Sequence, residues 1–136
     1  MLNGLPLRRG VRGILALTGL LLLGALLAGC GSQGPGAAAE QFAAALNSRD
    51  FGAAYDLLSG DSPLRGVSRD DFIRNAENSF PRNAAVDSFQ VTSEDVRDDT
   101  ATVNWSAVEK IPGQPGRPVN SSWQMVRENG NWKIKQ

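Results

Sequence analysis

The residues able to do chemistry are scarce in this chain, and their spacing excludes more than it offers. There is no histidine and one cysteine, Cys30. The commonest general base and metal ligand is therefore missing, and a lone cysteine forms no internal disulfide. Asp70 and Asp71 are adjacent in a stretch of helical spacing, where neighbouring side chains diverge by about 100°. They cannot converge on one proton or one metal, and they read as the solvated first turn of a helix. Asp98-Asp99 lies between two alternating segments and reads as a turn. No glycine-rich phosphate loop, metal-ligand spacing or nucleophile elbow is present. What remains is Tyr55 and three tryptophans, Trp105, Trp123 and Trp132. The expectation is no enzyme, no cofactor and no metal, with these four aromatics as the candidate ligand-lining residues.

Charge sharpens the exclusions. The formal net charge is zero, but Arg8, Arg9 and Arg12 sit near the start and all fourteen acids lie beyond them. From Cys30 onward the eleven remaining cations face those fourteen acids, a net charge of −3. A mildly acidic domain with scattered charge is a poor partner for nucleic acid. Its own surface is equally poor at binding anionic lipid.

The elements that could position these residues begin after a leader. Three arginines precede an uncharged, leucine-rich run from Ile14 to Leu27, and small residues follow. Those are the three parts of a secretory signal peptide. Gly13 to Gly29 falls short of the roughly 20 apolar residues of a permanent span. Leu27-Ala28-Gly29-Cys30 closely resembles the lipobox of bacterial lipoproteins. The resemblance implies a diacylglyceryl group on Cys30 and removal of residues 1–29. Two or more acyl chains give stable anchoring where one does not. The expected address is a cell membrane or outer membrane, lipid-anchored and facing the extracytoplasmic side. Residues 30–36, small and glycine-rich, read as the lipidated cysteine and a flexible tether.

Residues 37–136 read as one domain, large enough to fold without disulfide or metal. Ala39, Phe42, Ala43 and Leu46 have the spacing of one buried helix face, and Phe51, Ala54, Tyr55 and Leu58 repeat it. A third helix begins at Ser68, with Asp71 placed like the acidic member of a capping box and Pro81 as its stop. The period then changes to two. Phe89 and Val91 alternate with polar neighbours, as do Ala101, Val103, Trp105 and Ala107, then Val119, Ser121, Trp123 and Met125. Ile111 to Pro118 is a loop. Asn129-Gly130 is a strong hairpin signal, and a two-residue loop there pairs Glu128 with Asn131, Arg127 with Trp132, Met125 with Ile134 and Trp123 with Gln136. The pattern specifies an α+β domain: three N-terminal helices packed on a curved four-stranded antiparallel meander.

Ala39-x-x-Phe42-x-x-Ala45-Leu46, Asp50-Phe51-x-x-Ala54-Tyr55-x-Leu57-Leu58-Ser59 and Ser68-x-x-Asp71-Phe72 resemble the helical start of nuclear transport factor 2-like domains. Trp123-Gln124-Met125-Val126-x-Glu128-x-Gly130-x-Trp132-Lys133-Ile134 resembles that superfamily's last hairpin. The likeness spans about Ala37 to Gln136. It is closest to small bacterial lipoproteins of unknown function in that superfamily, and it extends to the non-catalytic domain at the start of some penicillin-binding transpeptidases. One departure is the lack of a clear strand pair between the second and third helices, with Leu64 to Val67 a remnant at most.

The resemblance implies a cone whose mouth is often a ligand pocket. The wall expected from phasing is Phe89, Val91, Val103, Trp105, Ser121, Trp123, Met125, Trp132 and Ile134, none of them acidic or basic. A general base must lie within hydrogen-bond reach of its proton, and no such group points inward. Trp105 is expected opposite Trp123, with Trp132 near and Tyr55 approaching from the second helix. Trp105, on an interior strand, should be the most deeply held and Trp132 the pocket residue. The plain alternative is core, because aromatics on a helix-covered sheet mostly fill space. Three functions compete. The first is a non-enzymatic binding or accessory module of the cell envelope holding a small apolar ligand. The second is a protein-interaction domain that forms a homodimer or docks on an envelope protein of cell-wall synthesis. The third is an enzyme on a small apolar substrate with Tyr55 as its acid.

Overall fold

The first described helix starts earlier than the periodicity implies. The computed structural model describes residues 33–136, so the leader, Cys30 and the start of the tether lie outside the described residues. Helix α1 (Pro35–Asn47) opens with proline at its first position, where the fixed φ suits a helix and no N–H is missed. Pro35 and Gly36, expected in the tether, are therefore helical and buried. The reason is close packing. A Cβ at Gly36 would collide with the Glu94 carboxylate and meet Val91 Cγ1 at 3.5 Å.

Helix α2 (Phe51–Asp56) is capped by Asp50, whose carboxylate accepts from the Ala53 N–H at 2.9 Å. It ends two residues before Leu58, which the spacing had included. Leu58 instead bridges Ile134 in parallel, with Ser59 N donating to Ile134 O and Ile134 N to Leu57 O, both at 2.8 Å. The remnant of a strand between the second and third helices is thus Leu58. Leu64 to Val67 is not strand: Pro63–Gly66 forms a 3-10 turn, begun by a proline and by the Ser62 hydroxyl accepting from Leu64 N.

Helix α3 (Arg69–Ser79) follows the expected cap. Ser68 Oγ accepts from Asp71 N at 3.2 Å and donates to the Asp71 carboxylate at 2.7 Å. Phe80 and Pro81 end the helix. None of its residues is buried. It leans on α2 through Phe72 against Tyr55, ring centres 5.3 Å apart, and through Arg69 paired with Asp56 at 3.1 Å.

The sheet is a four-stranded antiparallel meander in the order β1 (Ala85–Arg97), β2 (Thr100–Lys110), β3 (Arg117–Glu128), β4 (Asn131–Ile134). On its inward face Ala101 pairs with Met125, Val103 with Trp123, Trp105 with Ser121 and Ala107 with Val119. The last hairpin has the expected register from Glu128–Asn131 to Met125–Ile134. Asn129 and Gly130 both take positive φ, 50° and 81°, as a primed turn requires. The expected Trp123–Gln136 pair does not form: β4 stops at Ile134, and Gln136 O accepts from Gln124 N at 2.8 Å. β1 carries irregularities at Asp87/Gln90 and Val91/Ser93, with Ser88 at φ 53°. Such bulges bend a strand and raise its twist.

Alanines let α1 lie close on the sheet. Ala38, Ala39, Phe42 and Ala45 join Ala54, Leu58, Ala101, Val103, Met125, Trp132 and Ile134 in one core. Both edges are partly engaged. Leu57 to Ser59 cover β4. At β1 the Asn47 side chain stands in for a neighbouring strand, accepting from Val86 N at 2.8 Å and donating to Val86 O at 2.6 Å. An exposed edge left bare invites pairing with another chain.

The aromatic face as candidate functional site

β2 and β3 place their tryptophans by register. Trp123 stands directly across from Val103, and Trp105 across from Ser121, so the two indoles meet diagonally at 5.0 Å between ring centres. The expected opposition of Trp105 and Trp123 is thus a diagonal contact. Phe89 from β1 completes a cluster, 5.4 Å from Trp105 and stacked on Trp123 at 5.6 Å. Phe42 of α1 meets Trp123 edge-on at 5.2 Å. These separations suit offset and edge-to-face packing, in which the rim of one ring faces the electron-rich face of another.

Trp132 does not belong to this cluster. It is core, 7% exposed, with the Arg127 guanidinium 5.5 Å from its ring centre. The expectation that it lines a pocket is corrected. Its strand is covered from both sides, by Leu58 along the β4 edge and by Arg127 across the hairpin. Trp105, expected to be the most deeply held, is only half-buried, as is Trp123. Ser121, opposite Trp105 on the inward face, is exposed. The helices therefore leave the Trp105–Ser121 part of the face uncovered.

Tyr55 is drawn elsewhere. Its ring lies between Phe72 and the Arg65 guanidinium, which is 4.7 Å from the ring centre. Its hydroxyl donates to Val67 O at 3.1 Å. Of the four sequence-derived residues the structure joins Trp105 and Trp123, buries Trp132 in the core and turns Tyr55 toward α3. Phe42 was visible only as a helix-face residue, and nothing in the sequence tied it to Trp123.

The Trp105 indole N–H is buried without a hydrogen-bond partner. A buried donor left unmatched costs about 1–3 kcal/mol. The cluster has otherwise only dispersion and ring electrostatics to offer. The carboxyls with displaced pKa values lie away from it, in surface pairs. Asp56 is held below its ordinary value by a hydrogen bond from Arg69, Asp61 by Lys135 and then Ser59, Asp71 by Ser68 and then Arg74, and Asp87 by Lys110. Farther along the inward face Glu109 pairs with Arg117 beside a 540 Å³ hollow under the β2–β3 loop. Ile111, Gln114, Pro115 and Pro118 line that hollow. The prolines and glycines marked a loop but gave no signal of a hollow. Among the described residues no group of three His, Cys, Asp or Glu side chains converges for a metal.

Comparison with known proteins gives one family and a consistent set of folds. Residues 34–135 match the NTF2-like N-terminal transpeptidase domain. An NTF2-like protein with a cystatin-like fold from Novosphingobium aromaticivorans is 18% identical over 73% of each chain, with a TM-score of 0.57. A Campylobacter jejuni protein named as an NTF2-like transpeptidase is 13% identical over 75% of this chain and 97% of its own, at 0.52. A Thiobacillus denitrificans protein, named as a calcium/calmodulin-dependent protein kinase type II association domain, is 15% identical over 76% and 90%, at 0.57. At such identities these likenesses show the fold. No curated protein matches the chain.

Proposed function

The chain belongs to the family of NTF2-like N-terminal transpeptidase domains, and from that premise we propose that it is a non-catalytic accessory module of the bacterial cell envelope, anchored by lipid on Cys30. The observation that carries this reading is the inward face of the sheet. From Ala101 to Ala107 on β2 and from Val119 to Met125 on β3, each inward position is apolar or serine. Acid–base chemistry needs a titratable group within reach of substrate; this stretch has none, and the Glu109 carboxylate farther along the same face is paired with Arg117. Tyr55, the acid of the enzymatic alternative, has its hydroxyl engaged by Val67 O. The leader and Leu27-Ala28-Gly29-Cys30 support the address. Replacement Cys30→Ala in the full chain tests it. Incorporation of radiolabelled fatty acid should vanish and the leader should stay attached; unchanged labelling contradicts the anchor.

A second reading has its own observation. The half-buried Trp105 and Trp123 beside the exposed Ser121 offer an aromatic surface that suits a small apolar ligand. Native mass spectrometry of gently extracted protein tests this: a retained small molecule supports it, and the bare chain mass contradicts it.

A further inference from the structure

The register fixes which end of the domain the anchor reaches. α1 runs antiparallel to β1, with Gly36 packed at Val91 and Glu94 and Asn47 at Val86. Glu94 pairs with Val103 of β2, close to the sheet end that carries the β1–β2 and β3–β4 turns. Cys30 precedes Gly34 by four residues, which reach at most about 14 Å. The other sheet end, at Ile111, lies eight residues beyond Val103, or roughly 26 Å at ~3.3 Å per residue.

The two ends also differ in charge. Around the turns, Glu94, Asp95, Asp98, Asp99 and Glu128 outnumber Arg97, Arg127 and Lys133. Those arginines pair with Asp95 at 3.0 Å and Asp99 at 2.9 Å, leaving this end net negative. At the other end Lys110 pairs with Asp87 and Arg117 with Glu109, and Arg82, just before β1, and Arg49, bonded to the Phe80 carbonyl, add further cations. The outer sheet face is uncharged along Gln90, Ser93, Asn104, Ser106, Asn120 and Ser122, with Lys110 and Lys133 at its two ends.

We infer that the acidic turn end of the sheet faces the bilayer and that the β2–β3 loop, with its hollow, is presented away from it. This rests on the anchor at Cys30. The negative turn end gains nothing from anionic headgroups within a Debye length of about 8 Å, so the place of attachment alone sets the orientation. The attachment lies nearer the turn end, so the loop end is on average the farther from the bilayer and the first that a partner arriving from outside meets.

The test uses the full, lipid-bearing chain in vesicles of phosphatidylethanolamine and phosphatidylglycerol that carry a headgroup-labelled energy acceptor. A donor dye is placed on Asn131→Cys at the turn end or on Gln114→Cys at the loop end, both exposed positions. Flotation is measured first. Transfer from position 131 should exceed that from 114 by roughly twofold or more, given a separation along the strands of ~3.3 Å per residue. Equal or reversed transfer in chains that float overturns the orientation alone. Chains that fail to float overturn the anchor and the orientation with it.

Discussion

Trp132, Trp105 and Trp123 divide by what closes over them. Trp132 has Arg127 above it and Leu58 beside its strand, and its replacement by alanine removes a ring from a filled core. The expected loss is about 3–5 kcal/mol. Trp105 lies where the helices leave the face uncovered, and Trp123 is covered only in part by Phe42, so truncation at either should cost clearly less. Denaturant unfolding of the three alanine variants, read beside acrylamide quenching of each indole, checks the ranking. Trp132 should be the most costly and the least quenched. Strand position alone ranks these residues the other way, because a last strand normally has one side open. The side chain's fate was decided by Leu58, distant in sequence, and no local pattern reports such a contact.

Between elements, small polar devices do the joining. Asn47 holds both backbone groups of Val86 and so engages the start of the β1 edge. Asn47→Ala should cost about 1–2 kcal/mol, since a backbone donor and acceptor each lose a partner. Hydrogen exchange should show the loosening confined to the start of β1; uniform loosening of the sheet would contradict this role. The elements themselves were legible where local chemistry dictates them. Ser68 with Asp71 marked α3, and Asn129-Gly130 fixed the register of the last hairpin. What escaped the sequence depends on partners far along the chain. Pro35 and Gly36 look like tether until β1 is seen to receive them, and Leu58 looks helical until β4 claims it. The bulges of β1 hide for a related reason: an extra residue in a strand leaves composition unchanged.

As a whole molecule, the domain should respond to acid and to little else. Asp56, Asp61, Asp71 and Asp87 have folded pKa values below the ordinary 3.8. Such groups contribute stability that is present above the unfolded value and lost as pH falls through the folded one. The chain has no histidine to titrate near neutrality. The thermal midpoint of residues 33–136 should therefore be flat from about pH 5 to 8 and fall below about pH 4. Asp56→Asn should flatten the acid limb slightly and cost under ~1 kcal/mol, because the pair with Arg69 is largely solvated. Chelator and reductant should leave the midpoint unmoved; a shift of several degrees with chelator would reveal a metal site.

The anchor carries the account of where and how this domain works, and it is read most directly at the start of the processed chain. Intact and peptide mass spectrometry of the protein extracted from membranes should find Cys30 as the first residue, bearing a diacylglyceryl group on sulfur. A chain that still begins at Met1, or one cut at another residue with a free Cys30 thiol, would contradict the lipid-anchored reading and the orientation built on it.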